Sequence, residues 1–340
     1  MNNIKGRGPD KPKLMAVSRT CVFGFQRLRI NDLSEGGDQP LRLGPLSVIC
    51  NGEIYNFLDL KEKYGFKFSS ASDCEILLHL FEKYGNVEDF IDQLDGVFAF
   101  LLHDETTGIT YVGRDAIGVR PVFYGKDPHD QWAFASEAKA LTGLCDSNTI
   151  KPFPPGSHWN TKSETFTTWW NPVHNLESVD LEQFDEAAAL KTTAELLYKS
   201  VQKRMLSDRP IGTFLSGGLD SSLVAAFIMK FVTESGKSTR LNTFSVGLEG
   251  SPDLAYSKIV ADHIKSNHHH VQIEMQDCLD AVEDVVYAGE TFDVTTIRAS
   301  TPMYILSRYI RDNTNDVVIY SGEGADEIMQ GYLYFKNQQT

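Results

Sequence analysis

The sequence predicts an α/β protein of two domains, the second of them a doubly wound parallel sheet. Three observations lead there. From Pro210 onward, apolar runs of strand length alternate with helical stretches, the pattern of parallel strands joined by crossover helices. The first part of the chain is β-rich with a few helices, and its apolar runs flank turn residues. Between the two lies a cluster of breakers, Pro152, Pro154, Pro155 and Gly156, followed to about Asp180 by a stretch of weak periodicity. The boundary falls there, with one domain at 1–155 and the other at 180–340. A length of 340 residues fits roughly two domains.

In the first domain, Ser18 to Leu28 is a strand carrying Val22, Phe23 and Phe25. Leu46 to Cys50 is a short apolar run, and Asn51-Gly52 after it has the chemistry of a hairpin turn. Ser72 or Asp73 can cap a helix whose apolar face is Ile76, Leu77, Leu80, Phe81 and Tyr84. Val97 to Leu102 and Ile109 to Val112 flank Asp104 to Gly108 as a hairpin, and Val122 to Tyr124 with Trp132 to Ala135 form a second.

In the second domain a helix runs from about Asp185 to Leu206. Strands follow at Ile211 to Leu215, Leu241 to Gly247, Val271 to Met275 and Val317 to Tyr320. The helices between them cover Ser221 to Val232, Leu254 to Ile264, Cys278 to Ala288 and Met303 to Arg311. His268-His269-His270 reads as a loop entering a strand rather than a metal site, because consecutive side chains point apart on any element.

Composition removes several classes. Asp and Glu number 46 against 32 Lys and Arg, a net charge of −14 with no basic stripe, which disfavours a nucleic-acid role. No apolar stretch is long enough to span a membrane, and no secretory signal opens the chain. The five cysteines have no C-x-x-C spacing, which argues against a zinc ribbon or a disulfide framework. A cytoplasmic location is the expectation.

Two Ser/Gly loops carry the chemistry. Leu215-Ser216-Gly217-Gly218-Leu219-Asp220-Ser221-Ser222 lies between a strand and a helix. Its glycines let backbone approach a ligand, and the helix start offers unpaired N–H groups to an anion. Ser216, Ser221 and Ser222 add hydroxyl donors, whereas Asp220 next to phosphates calls for a cation, hence Mg²⁺. The loop holds no Lys and is not a Walker A sequence, which suits attack at an α-phosphate with pyrophosphate leaving. Ser321-Gly322-Glu323-Gly324-Ala325-Asp326-Glu327 follows another strand of the same sheet. It could share the crevice, with Asp326 joining Asp220 on Mg²⁺ and Glu323 as base or organiser.

The first loop resembles the PP-loop of N-type ATP pyrophosphatases. Together with the second loop and Phe292-Asp293-Val294-Thr295-Thr296-Ile297-Arg298-Ala299-Ser300, it resembles glutamine-hydrolysing asparagine synthetase over nearly the whole chain. The resemblance implies ATP-driven activation of aspartate to β-aspartyl-AMP, releasing pyrophosphate, and amidation by ammonia derived from glutamine. Leu215, Ser216, Gly217, Gly218, Asp220, Ser221, Ser222, Val246, Ser321 and Gly322 are the implied ATP contacts. Glu323 is catalytic, Asp220 and Asp326 are metal ligands, and Thr296 and Arg298 sit near the intermediate or pyrophosphate.

For the first domain the resemblance implies a type-2 glutamine amidotransferase fold, an αββα sandwich of the N-terminal-nucleophile type. Its support is Arg7-Gly8-Pro9-Asp10, Phe23 to Leu28, Asn51-Gly52-Glu53-Ile54-Tyr55-Asn56 and Ser72-Asp73, in the family's order. Arg27 is the implied clamp for the glutamine α-carboxylate, with Leu28 and Ile30 beside it. Glu53 and Asp73 contact the amide and amino groups. Asn51 and the Gly52 N–H form the oxyanion hole and count as catalytic.

The sequence departs from the family in one respect that matters for chemistry. The family nucleophile is a Cys directly after the initiator Met, whereas residue two here is Asn2. The opening strand and helix before Arg7 and the end of the synthetase domain are missing, so the expectation is a chain truncated at both ends. Cys21, inside a strand, is a structural thiol, and the chain as written is expected not to hydrolyse glutamine. The alternatives are a related acyl-adenylating enzyme resembling β-lactam synthetase and a non-catalytic fragment. A homodimer is left open.

Overall fold

The computed structural model describes residues 2–171, 184–236, 240–333 and 335. The chain divides into two compact units, 1–184 and 185–340.

In unit 1, β1 (Lys11–Ala16) and β2 (Val22–Arg27) form an antiparallel pair. After them come β3 (Leu41–Leu43), β4 (Leu46–Ile54), α1 (Phe57–Tyr64), α2 (Ile76–Tyr84), β5 (Gly96–Asp104) and β6 (Ile109–Arg114). Next are β7 (Phe123–Lys126), β8 (Trp132–Ala135), β9 (Lys151–Pro152), β10 (Ser157–Asn160) and β11 (Thr167–Thr168). Strands β11-β10-β6-β5-β4-β3 make one antiparallel sheet, and β8-β7-β9 a second.

Side-chain alternation along β5 sets the layers. Phe98, Phe100 and Leu102 point into a core shared with Ile76, Leu77 and Leu80 of α2. Ala99 on the opposite face joins Val112, Val122, Phe153 and Trp159, with Tyr124 and Phe134 of the small sheet packed on them. The order is therefore helices, sheet, sheet, three of the four layers that the resemblance implies. Among the described residues α1 and α2 are the α-helices of this unit.

Unit 2 begins with α3 (Glu186–Lys203), whose N-cap Asp185 accepts from the Ala188 N–H at 3.0 Å. It continues with β12 (Ile211–Phe214), α4 (Leu219–Glu234), β13 (Asn242–Leu248), α5 (Pro252–Ile264), β14 (Asn267–Ile273) and α6 (Met275–Gly289). The last described elements are α7 (Val294–Asn313), β15 (Val318–Tyr320) and α8 (Ala325–Met329). The sheet is parallel throughout, in the order β14-β13-β12-β15. Val201 of α3 and Ile228 of α4 pack on one face, and Leu306 and Ile310 of α7 meet Phe244 on the other. This is the doubly wound arrangement expected.

Several sequence readings are corrected. Asn51-Gly52 is no hairpin turn: β4 runs straight through it, with Asn51 opposite Ala99 and Gly52 opposite Phe98. The ladder to β5 outweighs local turn preference, and Gly52 is needed because a Cβ there would lie 2.1 Å from the Val97 carbonyl oxygen. The strand at Ser18 to Leu28 starts at Val22, and its partner β1 went unread. Neither Ser72 nor Asp73 caps a helix with its side chain. The three histidines lie inside β14 rather than in a loop before it. Helix α7 begins at Val294 and contains Pro302, so the Thr-Thr-Ile-Arg run is its first turn. One lost backbone bond at Pro302 is offset by the burial of Thr301, Leu306 and Ile310.

Phe244 is fully buried at the centre of unit 2. Its replacement by Ala is expected to destabilise the chain by about 3–5 kcal/mol, read as a lower urea midpoint.

Candidate active sites

Unit 1 holds a cavity of about 350 Å³, and all seven residues expected to contact glutamine line it. Strand β2 and the segment after it supply Arg27, Leu28 and Ile30, β4 supplies Asn51, Gly52 and Glu53, and the turn before α2 supplies Asp73. Residues more than 45 positions apart in sequence thus meet on one surface, because β4 runs past that turn.

Asp73 is the best-defined group. Its carboxylate is 5 % exposed and accepts from the Ile54 N–H at 2.8 Å. Burial pushes its pKa up, against the pull of hydrogen bonds from Ile54 and Asn31. Arg27 is also buried, but its guanidinium is engaged: it donates to the Ser34 carbonyl at 2.8 Å and to the Asp32 carbonyl and the Asp38 carboxylate. Lys11 reaches the same Asp38 carboxylate at 2.5 Å. A ligand carboxylate at Arg27 would therefore take the place of Asp38. Asn51 Nδ2 lies 3.4 Å from Ser136 Oγ.

Sequence reasoning missed the thiols of the cavity wall. Cys50 and Cys74 line it, and Cys74 Sγ sits 3.9 Å from the Gly52 carbonyl oxygen. Contact with Cys50 and then burial raise the Cys74 thiol well above its ordinary pKa, which leaves it a poor nucleophile. Cys21 lies outside the cavity, against Thr110, with its pKa also raised by burial. No spacing rule links Cys50 to Cys74, since the contact forms between a strand and a distant turn.

In unit 2 the two Ser/Gly loops leave the carboxyl ends of β12 and β15, which are neighbours in the sheet. The chain crosses from β12 to β13 on one side and reaches β15 on the other, so the loops flank the point where the strand order reverses. They touch: a Cβ on Gly322 would lie 2.9 Å from the Ser221 nitrogen and 3.1 Å from Asp220 Cβ.

The first loop is held by its own hydroxyls. Ser216 Oγ and Ser221 Oγ are 2.9 Å apart, the Ser216 N–H donates to Ser221 Oγ at 3.2 Å, and the Gly218 N–H donates to Ser216 Oγ at 3.3 Å. Gly217 has φ of +85°, and a Cβ there would meet the Ser257 nitrogen of α5 at 2.4 Å. Gly218 caps α4 without a side chain. Ser222 Oγ is buried with no hydrogen-bond partner among the described residues. These features suit an anionic ligand seated over the helix start.

The remaining predicted residues divide. Leu215 is buried against Ala225 and Ala261, so it offers a ligand main chain only. Val246 is half-buried beside Phe244. Ser321 Oγ accepts from the N–H of Glu323, which is exposed, and Asp326 is half-buried at the start of α8. Thr296 turns back to its own helix: Asp293 accepts from its N–H at 2.7 Å and its hydroxyl at 2.8 Å.

Comparison with known proteins follows the same division. Residues 1–189 match the glutamine amidotransferase domain family, and residues 192–340 match the asparagine synthase family. The chain belongs to the family of the glutamine-hydrolysing asparagine synthetases. Asparagine synthetase [glutamine-hydrolyzing] 2 of Arabidopsis thaliana is 43% identical over 339 residues, covering 98% of this chain and 57% of that one. Asparagine synthetase [glutamine-hydrolyzing] of Cricetulus griseus is 42% identical over 356 residues, covering 98% and 63%. The chain thus spans about three-fifths of the length of these curated relatives. Among solved structures, a glutamine phosphoribosylpyrophosphate amidotransferase from B. subtilis aligns over 74% of this chain and 67% of its own, at 16% identity and a TM-score of 0.38.

The Asp73 environment sets an expected pH dependence. A carboxyl group whose pKa is raised on folding favours the protonated native state, so wild-type stability falls as pH rises through that value. Asp73→Asn keeps an acceptor for the Ile54 N–H and removes the buried charge. It should melt higher than wild type at pH 7, and the gain should vanish below the unfolded carboxylate range, at about pH 4.

Proposed function

We propose that the chain carries out asparagine synthetase-type chemistry: ATP-dependent activation of aspartate to β-aspartyl-AMP, then amidation to asparagine, with AMP and pyrophosphate released. The observation that carries this reading is the contact of Gly322 with Asp220 and Ser221, which joins the two loops at the sheet's switch point. Ligands of parallel sheets bind at that position.

Ser216, Gly217, Gly218, Ser221 and Ser222 would hold the phosphates with main-chain N–H groups and hydroxyls, and Ser321 and Gly322 would close the other side. The main chain at Leu215 and Val246 would border the nucleoside. An aspartate carboxylate oxygen then attacks the α-phosphorus, and the bond to pyrophosphate breaks. Ammonia attacks the resulting acyl carbon, and AMP leaves. Glu323, which is exposed, would organise that step or accept a proton in it.

Mg²⁺ fits the donor set. Among the described residues no cluster of three or more His, Cys, Asp or Glu forms a closed metal site. Mg²⁺ needs none, being held by one or two carboxylates together with substrate phosphates. Asp220 and Asp326 would supply the carboxylates, and the ion would neutralise phosphate charge.

In unit 1 the cavity would take glutamine. Arg27 would bind the α-carboxylate in exchange for Asp38, while Glu53 and Asp73 bind the polar nitrogen groups. Leu28 and Ile30 border the ligand, and Asn51 Nδ2 with the Gly52 N–H would face the amide oxygen. The thiols described do not equip it for hydrolysis: Cys74 is poorly ionised and Cys21 lies elsewhere. A cytoplasmic location is part of this proposal, and a homodimer stays open; among the described residues no helix is long and apolar enough to cross a membrane.

Exchange of labelled pyrophosphate into ATP tests the ligase half. The exchange should require aspartate, and Asp220→Ala should reduce it at least a hundredfold, as expected when a charge partner of the reacting phosphates is lost. Exchange without aspartate, or an unchanged Asp220→Ala protein, would refute the reading. The purified 340-residue protein should release no ammonia from glutamine, measured by coupled glutamate dehydrogenase.

A further inference from the structure

His268 stands apart from its two neighbours. Its ring crosses from β14 to two other elements: Nδ1 lies 2.9 Å from Thr243 Oγ1, and Nε2 lies 3.1 Å from Ser245 Oγ, both on β13. Nε2 also lies 3.4 Å from Ser257 Oγ on α5. Burial, with smaller contributions from His270, Lys258 and His269, lowers its pKa to about 4. At neutral pH it is therefore an uncharged ring with one donor and one acceptor, a fixed polar bridge rather than a charge.

What the bridge holds is specific. Ser257 is fully buried, and its hydroxyl also donates to the Leu254 carbonyl at 3.1 Å. Its backbone nitrogen is the atom against which Gly217 of the first loop rests, so close that no Cβ fits between them. One turn of α5 thus contacts His268 through a side chain and the Ser/Gly loop through the main chain.

We propose that His268 is a positioning residue for nucleotide binding: by tying Ser257 to β13 it sets the surface on which Gly217 rests, and with it the loop that faces the phosphates. The inference builds on the nucleotide reading of that loop. A purely structural histidine would stabilise the sheet without preference for one ring nitrogen. A positioning histidine acts through Nε2, the atom next to Ser257.

The two nitrogens can be replaced separately. A glutamine amide reaches about as far as Nε2, an asparagine amide only about as far as Nδ1. Titration calorimetry of the full chain with ATP and Mg²⁺ should show His268→Gln within about twofold of wild type and His268→Asn weakened about tenfold, the loss of one well-placed hydrogen bond. Ser257→Ala should weaken binding similarly, and the double variant should lose little more than either single one. Ser266→Ala is the control, because Ser266 Oγ bonds Thr243 Oγ1 at 2.8 Å within the same network while leaving Ser257 untouched. It should lower the melting temperature and leave the ATP Kd unchanged.

Failure of the wild-type protein to bind ATP would overturn the nucleotide reading and this inference with it. Normal ATP binding by folded His268→Asn and Ser257→Ala, or a loss in Ser266→Ala that follows melting temperature as closely as theirs, would overturn the His268 assignment alone. If His268→Asn does not fold, Ser257→Ala decides, since it removes one hydroxyl and no ring.

Discussion

The parallel pairing of β12 with β13 on one side and β15 on the other is the constraint on which the second unit depends. Parallel strands point all their carboxyl ends the same way, so the segments leaving β12 and β15 emerge together although about 105 residues separate them. Each strand is short, and the pairing survives because both faces of the sheet are covered, by Ile228 and Val232 on one side and by Leu306 and Ile310 on the other. Remove either layer and the strands lose the apolar contacts that hold their register. The position of the loops is thus secured by buried core residues on both faces of the sheet.

Unit 1 solves a different problem. Its cavity needs polar groups inside a core dense with Phe98, Phe100 and Trp159, where an unpaired charge would be strongly unfavourable. Three buried polar groups are matched: Asp73 by the Ile54 N–H, Arg27 by Asp38 and carbonyls of the 31–38 segment, and Glu75 by the N–H groups and hydroxyls of Ser69 and Ser70. Matching of this kind keeps the site formed without a ligand. It also fixes what a ligand must do, because a carboxylate entering at Arg27 has to compete with one already there. Asp38 is held by Lys11 as well, which gives it somewhere to remain when Arg27 lets go.

Much of this was legible in the sequence. The alternation of apolar runs after Pro210 reported the parallel sheet, because period and length are local properties. Both Ser/Gly loops were legible for the same reason, being contiguous. The errors came where long-range pairing overrode local chemistry: Asn51-Gly52 has turn composition yet lies in a nine-residue strand, since β5 offers a continuous ladder. The helix read over Met303 to Arg311 begins at Val294 and passes through Pro302, since its buried face extends to both sides of that residue. The Cys50–Cys74 contact, the saturation of Arg27 and the wall that Ser257 forms behind Gly217 were illegible. Each depends on which surfaces meet, and no spacing in one chain encodes that.

The two candidate sites share a device. At Gly52 the main chain of β4 comes so near Val97 that a Cβ would lie 2.1 Å from its carbonyl oxygen, and at Gly217 the loop comes so near Ser257 that a Cβ would lie 2.4 Å from its nitrogen. In both places a missing side chain lets backbone lie flat against a rigid neighbour. An N–H fixed in this way meets an oxyanion or a phosphate without reorganising, whereas a flexible side chain would have to be ordered first. The rigidity is borrowed: Gly52 takes it from the β4–β5 ladder, and Gly217 from a helix tied to the sheet by a neutral histidine. On this view the support behind each glycine belongs to the site as much as the residues that face the ligand, and changes there should alter binding before they alter the fold.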